Sequence, residues 1–263
     1  EEDSAGNGSI MRLAPVPLLF HYDLATAVYY SGESSKATHS LPICVDACKL
    51  LGAMIVVAVN GGAKEQILHE PLPPDYLRDS AFSTQIGGLV GRDWASMTEL
   101  LIPSDGYVVN TLSAAIWCFA TTDSFEDAVL KAVNLGEDAD TTGAVCGQLA
   151  GAYYGEEGIP TDLRYAITQY NEIHNLARDL YEAGNRILER RLRGGVFVGG
   201  SDEQKTNLLK ALQVYREALA LGHHDSEDED EYKATVRQLR AAAHRVRYPR
   251  MKDWWIEITG IDW

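Results

Sequence analysis

Gly143, Gly147, Gly151 and Gly155 recur at every fourth position, and no other feature of the chain restricts its fold as much. At helical pitch this spacing lines one face, so a helix here presents a strip without side chains that a neighbouring backbone can approach closely. In a bilayer such a strip would suggest dimerisation, but the nearby carboxylates and the short apolar length exclude that here. The strip therefore seats the start of its helix deep in a bundle, and that start is Asp138-Ala139-Asp140-Thr141-Thr142. Helix packing and ligand contact both account for the glycines at this point.

Helical patterning extends over most of the chain. Asp23 can cap a helix running through Tyr30, with Leu24, Ala27 and Val28 on one face. Ser40 precedes Pro42, a good first-turn residue, and opens an apolar helix to about Val59 that Asn60-Gly61-Gly62 stops. Pro71, Pro73 and Pro74 mark a loop. From Tyr107 to Phe119, apolar Val108, Leu112, Ala115, Ile116 and Phe119 repeat at helical spacing. Ser124 with Asp127 resembles a capping box for a helix with Phe125, Ala128, Val129, Ala132 and Val133 as its buried stripe. Thr161 opens a long helix striped by Leu163, Ile167, Tyr170, Ile173, Leu176 and Leu180. Strand alternation is absent except near 195–198, so the fold class is all-α.

After Gly199-Gly200 the character changes. Helical patterns near 202–220 and 231–246 flank an acidic run, Asp225 to Glu231, and an aromatic tail runs from Trp254 to Trp263. The acidic run reads as a solvated linker and the tail as a segment that docks on the bundle or binds a partner. The chain divides accordingly into a domain over 1–198 and a helical extension over 199–263. A net charge of −15 argues against nucleic acid as a partner, because phosphate binding needs clustered Lys and Arg. The longest apolar run, Leu50 to Val59, falls short of a membrane span, so no membrane association is expected. Cys44, Cys48, Cys118 and Cys146 lie in apolar helical settings without a zinc spacing. They read as buried free thiols, and with no secretory signal at Glu1-Glu2-Asp3 the expected location is cytoplasmic.

Three readings compete for the acidic segment. Asp138-x-Asp140-x-Thr142 fits the nucleophile loop of haloacid-dehalogenase-type phosphatases, but that fold needs a strand directly upstream, where 130–135 continues a helical stripe. It also mimics the start of an EF-hand loop, yet the twelfth position is Leu149 rather than a bidentate Glu. The third is a metal-binding helix N-terminus that offers hard oxygens to a cation such as Mg²⁺. Simple capping by Asp138 and Asp140 stays open beside it. At the other end, Gly6-Asn7-Gly8-Ser9 makes a tight turn whose N–H groups can receive phosphate oxygens, or is a plain turn. His39, between Thr38 and Ser40, is a ligand contact or a capping and packing residue.

Taken together, Gly6-Asn7-Gly8-Ser9-Ile10-Met11-Arg12-Leu13-Ala14-Pro15, Thr38-His39, Asp46-Ala47-Cys48, Gly106-Tyr107-Val108-Val109 and Gly136-Glu137-Asp138-Ala139-Asp140-Thr141-Thr142-Gly143-Ala144 resemble the ADP-ribosylglycohydrolase family in order and spacing. The resemblance runs from about Ser4 to Gly184. It implies a compact multi-helix bundle with two Mg²⁺ ions at its centre, acting on ADP-ribose attached to arginine or serine of a protein. Asp138, Asp140 and Thr141 match the family's C-terminal metal ligands. Ala5, Gly6, Asn7, Gly8, Ser9, Ile10 and Met11 match the loop that holds the diphosphate and ribose. His39 matches a histidine that touches the ligand, and Tyr107 or Val108 lies where the family packs a residue against the nucleotide.

The resemblance also implies an N-terminal portion, ahead of the Gly-Asn-Gly loop, that carries a catalytic glutamate and a Thr-Asp-Asp-Thr segment with the remaining metal ligands. Glu1, Glu2 and Asp3 do not reproduce either. The expectation is thus an N-terminally truncated family domain with no assignable catalytic residue and little or no activity by itself. The alternative is a non-catalytic ADP-ribose-binding or scaffold protein.

Overall fold

The computed structural model describes residues 5–72, 74–79 and 81–193. Its α-helices are α1 (Pro15–Leu19), α2 (Leu24–Lys36), α3 (Pro42–Val59), α4 (Lys64–His69), α5 (Pro74–Arg78), α6 (Thr84–Gly87), α7 (Val108–Ala120), α8 (Phe125–Asn134), α9 (Ala139–Tyr154), α10 (Thr161–Ala166) and α11 (Tyr170–Arg193). Among the described residues there is no strand, only an isolated antiparallel bridge between Gly6 and Tyr107. The chain is all-α, as expected. It falls into two compact units that divide between Glu182 and Ala183, and every element around the candidate site belongs to the first. The strand-like alternation near 195–198, the boundary at 198/199, both later helical patterns, the acidic run and the aromatic tail lie outside the described residues.

Helix α3 is the axis of the first unit. Pro42 stands in its first turn, where a missing N–H costs nothing, and Gly61 at φ 80° turns the chain after it. By length and composition α3 could cross a membrane, yet 78% of it is buried inside this fold. Its one buried carboxylate, Asp46, takes Lys49 Nζ at 2.9 Å and the backbone N–H of Ser83 at 2.9 Å. Helices α2, α7 and α9 pack around α3. Asp23 caps α2 by accepting from the Thr26 N–H at 3.2 Å, and the helix continues past Tyr30 to Lys36 with Ser31, Gly32 and Ser35 buried.

The glycine strip on α9 meets α8. A Cβ on Gly143 would lie 2.7 Å from Val133 Cγ1, whereas one on Gly147 would sit 3.8 Å from Val129 and one on Gly151 3.7 Å from Phe125. Positions 125, 129 and 133 thus run antiparallel along 151, 147 and 143, which favours the packing account of the glycines. Only Gly143 is too tight for a side chain. Val133 itself is 36% exposed, so the α8 stripe is shallower at that end than its periodicity suggests.

The long helix expected from Thr161 is instead two. Ile167 is extended and Gln169 adopts φ 66°, a left-handed turn that breaks the helical period between α10 and α11. Leu163, Ile167, Ile173 and Leu176 are consequently exposed rather than forming one buried stripe. The proline loop at Pro71 likewise gives way to α5, with Pro74 as its first residue.

Candidate functional site

Backbone hydrogen bonds bring the N-terminal loop to the start of α7. Asn7 N–H donates to the Gly106 carbonyl at 3.2 Å, and Val108 N–H donates to the Ala5 carbonyl at 2.9 Å. Residues Ile10–Arg12 then form a single 3₁₀ turn. Asn7 is buried, and its side-chain amide donates to Thr111 Oγ1 at 2.8 Å and to Asp138 Oδ2 at 2.5 Å. The Thr111 hydroxyl itself donates to the Asp105 carbonyl at 2.9 Å. One amide thus joins the loop, α7 and the acidic segment, residues separated by 131 positions in the chain.

The acidic segment is aimed by an unusual approach. Gly136 and Glu137 both take positive φ, 80° and 50°, so the chain turns sharply just before Asp138. A left-handed glutamate costs about 1–3 kcal/mol and persists only where its surroundings dictate it. Here the Asp138 N–H donates to the Ser104 carbonyl at 3.1 Å and the Ser104 hydroxyl to the Gly136 carbonyl at 3.3 Å. Asp138 is the N-cap residue of α9 but makes no side-chain cap; its carboxylate turns to Asn7 instead. Asp140 is exposed, and its Oδ1 accepts from the Thr141 N–H at 2.9 Å. Thr141 and Thr142 are buried, and the Thr142 hydroxyl has no hydrogen-bond partner. Capping thus describes part of what Asp140 does and none of what the Asp138 side chain does.

Two carboxylates and a hydroxyl on the first turn of α9 suit a hard divalent cation, with no sulfur or imidazole to favour a softer metal. Among the described residues, no group of three or more His, Cys, Asp or Glu is placed to hold a metal.

His39 flanks the loop's glycines. Its backbone N–H donates to the Ser35 carbonyl at 2.7 Å, and the Ser35 hydroxyl donates back to the His39 carbonyl at 2.8 Å. The ring lies under the loop: a Cβ on Gly8 would be 2.8 Å from His39 Cε1, so glycine is required for this close approach. Cys44 Sγ donates weakly to the Gly6 carbonyl at 3.6 Å, and burial raises the thiol pKa of both Cys44 and Cys48. Ala5, Ser9 and Ile10 are buried, so the loop presents backbone rather than those side chains, while Met11 is exposed. Val108 is fully buried in the core and has no surface to offer a nucleotide. Tyr107 is the half-buried member of that pair and donates through its hydroxyl to Gln85 Oε1 at 3.1 Å.

Gln148 is the residue that motif reading passed over. Its Oε1 accepts from the Ala14 N–H at 2.7 Å, and its Nε2 donates to the Ile10 and Met11 carbonyls at 3.0 and 3.1 Å. It stands two helical turns beyond Thr141, on the same face of α9. A polar side chain in that register was the available signal.

Comparison with known proteins bears on this arrangement. A family model described as ADP-ribosylglycohydrolase matches residues 1–188. The chain is 35% identical over 189 residues to the ADP-ribosylarginine hydrolase Tri1 of Pseudomonas putida (strain GB-1), covering 72% of this chain and 49% of that protein. It is 31% identical over 167 residues to the ADP-ribosyl-[dinitrogen reductase] glycohydrolase of Rhodospirillum rubrum, covering 61% and 50% respectively. A solved structure of an ADP-ribosylglycohydrolase-related protein complex aligns with a TM-score of 0.62 at 34% identity, covering 70% of this chain and 62% of that one. The chain spans about half the length of the curated relatives it matches.

Proposed function

The chain belongs to the ADP-ribosylglycohydrolase family, and on that premise we propose that it serves hydrolysis of the glycosidic bond between ADP-ribose and a protein side chain, arginine or serine. The observation that carries this reading is the pair of hydrogen bonds from Asn7, which fastens a phosphate-type loop to Asp138. A ligand in which a diphosphate is joined to a ribose is the kind of molecule that such a pairing can span. The names of the relatives point the same way, since they act on ADP-ribosylated arginine and on ADP-ribosylated dinitrogen reductase.

Asp138, Asp140 and Thr141 would hold Mg²⁺, two ions by family resemblance, with the rest of each sphere supplied by water or by groups beyond the described residues. When bound, the metal would hold the distal ribose's hydroxyls and orient a water toward the anomeric carbon. The protein's own part is clearer. In the turn 6–9 the Asn7 N–H is taken by Gly106, and those of Gly6, Gly8 and Ser9 would be offered to phosphate oxygens. Asn7 has both amide protons engaged, so it organises the site rather than donating to ligand. The carboxylates of Asp138 and Asp140 would offset positive charge that develops on the sugar as its bond breaks. The buried free thiols favour a reducing, cytoplasmic setting.

Calorimetry with ADP-ribose, with and without Mg²⁺, tests the reading together with release of ADP-ribose from a modified protein. Metal-dependent tight binding that Asp138→Asn abolishes is the expected result, with little or no release by this chain alone. A second reading, a non-catalytic ADP-ribose-binding protein, is favoured by one contrast: the loop is bonded to α3, α7 and α9, while the cation donors among the described residues are few. Binding indifferent to Mg²⁺, with no release, would establish it instead.

A further inference from the structure

Three polar groups beside the loop form a chain that the function proposed above does not use. The Arg12 guanidinium donates from Nη2 to Thr38 Oγ1 at 2.6 Å and to the Ser34 carbonyl at 3.2 Å. Thr38 Oγ1 in turn lies 2.9 Å from His39 Nδ1. The far edge of the ring, Nε2, is 3.4 Å from where a Cβ of Gly6 would stand and 3.1 Å from where one of Gly8 would stand. The ring therefore bridges Thr38 on one side and the glycine loop on the other.

A guanidinium can only donate, so the Arg12 bond occupies a lone pair of the Thr38 hydroxyl. The hydroxyl keeps one proton, and polarisation by the arginine makes it a better donor. His39 Nδ1 lies at hydrogen-bond distance from it and can accept that proton. A neutral imidazole that accepts at Nδ1 must carry its proton on Nε2. A flipped ring would put carbon against Thr38 and forfeit the bond, and the double tie between Ser35 and the His39 backbone holds the ring's base in place. We propose that Arg12 and Thr38 are positioning residues that hold His39 as the Nε2–H tautomer, so that it presents a donor to an anionic, diphosphate-bearing ligand on the glycine loop. The opposite tautomer would turn a lone pair toward phosphate oxygens and repel them. This inference rests on the ADP-ribose reading for its ligand, but not for its tautomer.

The test uses the full 263-residue chain, labelled with ¹⁵N, in long-range ¹H–¹⁵N correlation at about pH 8.5, where an ordinary imidazole is neutral. The His39 signals are those missing in His39→Gln. Expected are a protonated Nε2 and a bare Nδ1 in the wild type, a mixture of tautomers in Thr38→Val, and return of the single tautomer in Thr38→Ser. ADP-ribose binding by calorimetry should weaken about tenfold in Thr38→Val and recover in Thr38→Ser, the scale for one hydrogen bond to a charged group. Circular dichroism melts of both variants confirm that each is folded. A proton on Nδ1 in the wild type overturns the proposal, and so does a tautomer in Thr38→Val identical to that of the wild type. If the tautomers behave as expected but even the wild type binds no ADP-ribose, the ligand reading fails and the relay stands.

Discussion

The two walls of the candidate site are built in opposite ways. The loop of residues 5–13 is tied from several directions: Gln148 from α9, Asn7 to α7, Cys44 from α3 and the His39 ring beneath. The acidic start of α9 has Asp138 anchored at both backbone and side chain, but Asp140 is exposed and bonded only to the next residue's N–H. A preorganised loop receives an organic anion at little further cost in order. Carboxylates left with spare lone pairs suit a cation that brings its own geometry. Among the described residues the loop is thus held from several sides, whereas the Asp140 carboxylate of the acidic turn stays exposed.

The hardest blow to this contrast falls where the walls meet. Asn7→Ala removes one buried amide and leaves both the Thr111 hydroxyl and the Asp138 carboxylate without their donor. Stability should drop by about 1–3 kcal/mol, the penalty for unpaired buried polar groups. ADP-ribose affinity should fall by about a hundredfold, because loop and acidic turn lose register together. Thermal unfolding and calorimetry measure the two. A variant that melts normally and binds normally would mean that the walls are independent.

Asp140→Asn separates the walls more gently. Its side chain is exposed, so the melting temperature should stay within about 2 °C, the range of a neutral surface change. Mg²⁺ affinity should fall about tenfold or more as one anionic ligand becomes neutral. ADP-ribose binding in EDTA should be unaltered. Loss of metal-free ADP-ribose binding in this variant would show that the acidic turn also shapes the nucleotide pocket.

What was legible in the sequence follows the same division. The apolar period over Val108, Leu112, Ala115, Ile116 and Phe119 marks a helix wholly inside the core, and all five side chains are buried there. Asn7 and Asp138 stand out as motif residues, and they do meet. Periodicity failed at 161–180, where spacing alone hides the left-handed turn at Gln169 that breaks the stripe. It also could not show that Ser124 and Asp127 bond side chain to side chain, at 2.7 Å, in place of the full reciprocal box. Gln148 and the Arg12–Thr38–His39 chain were illegible for another reason. Their meaning comes from pairing across 138 and 26 positions, and a single sequence does not carry such distances.

The glycine strip offers a smaller test, in which two chemically identical changes should differ in sign. Gly147→Ala has room, with its nearest neighbour at 3.8 Å, and gains up to about 1 kcal/mol of helix propensity. Gly143→Ala drives a methyl to 2.7 Å from Val133 Cγ1, and overpacking against a stiff β-branched side chain should outweigh that gain by about 1 kcal/mol. Denaturant unfolding of the pair reads the difference directly. Equal stabilisation of both would mean that α8 slides freely over the start of α9, and the acidic turn would then be less firmly placed than the loop for a second reason.

The finest probe is the thiols, two on each side of the comparison. Cys44 and Cys48 lie beneath the loop, while Cys118 and Cys146 lie among α7, α8 and α9, where Cys146 Sγ donates to the Ala128 carbonyl at 3.4 Å. All four are free and buried, and burial pushes Cys118 up to about 12 from its ordinary 9.0. Folded protein therefore keeps that proton across the window between those values while the unfolded chain loses it, so this thiol's contribution to stability declines as pH rises through the window. At pH near 8 none of the four should react with a disulfide reagent unless its cover opens, since the thiolate is the reactive form. Local opening of the loop should let Cys44 and Cys48 react first, and ADP-ribose should slow those two while leaving the core pair unchanged. Mass spectrometry of labelled peptides follows each site separately. Protection of all four in parallel would show that the loop opens only with the whole bundle, which would make the loop as rigid as the core it rests on.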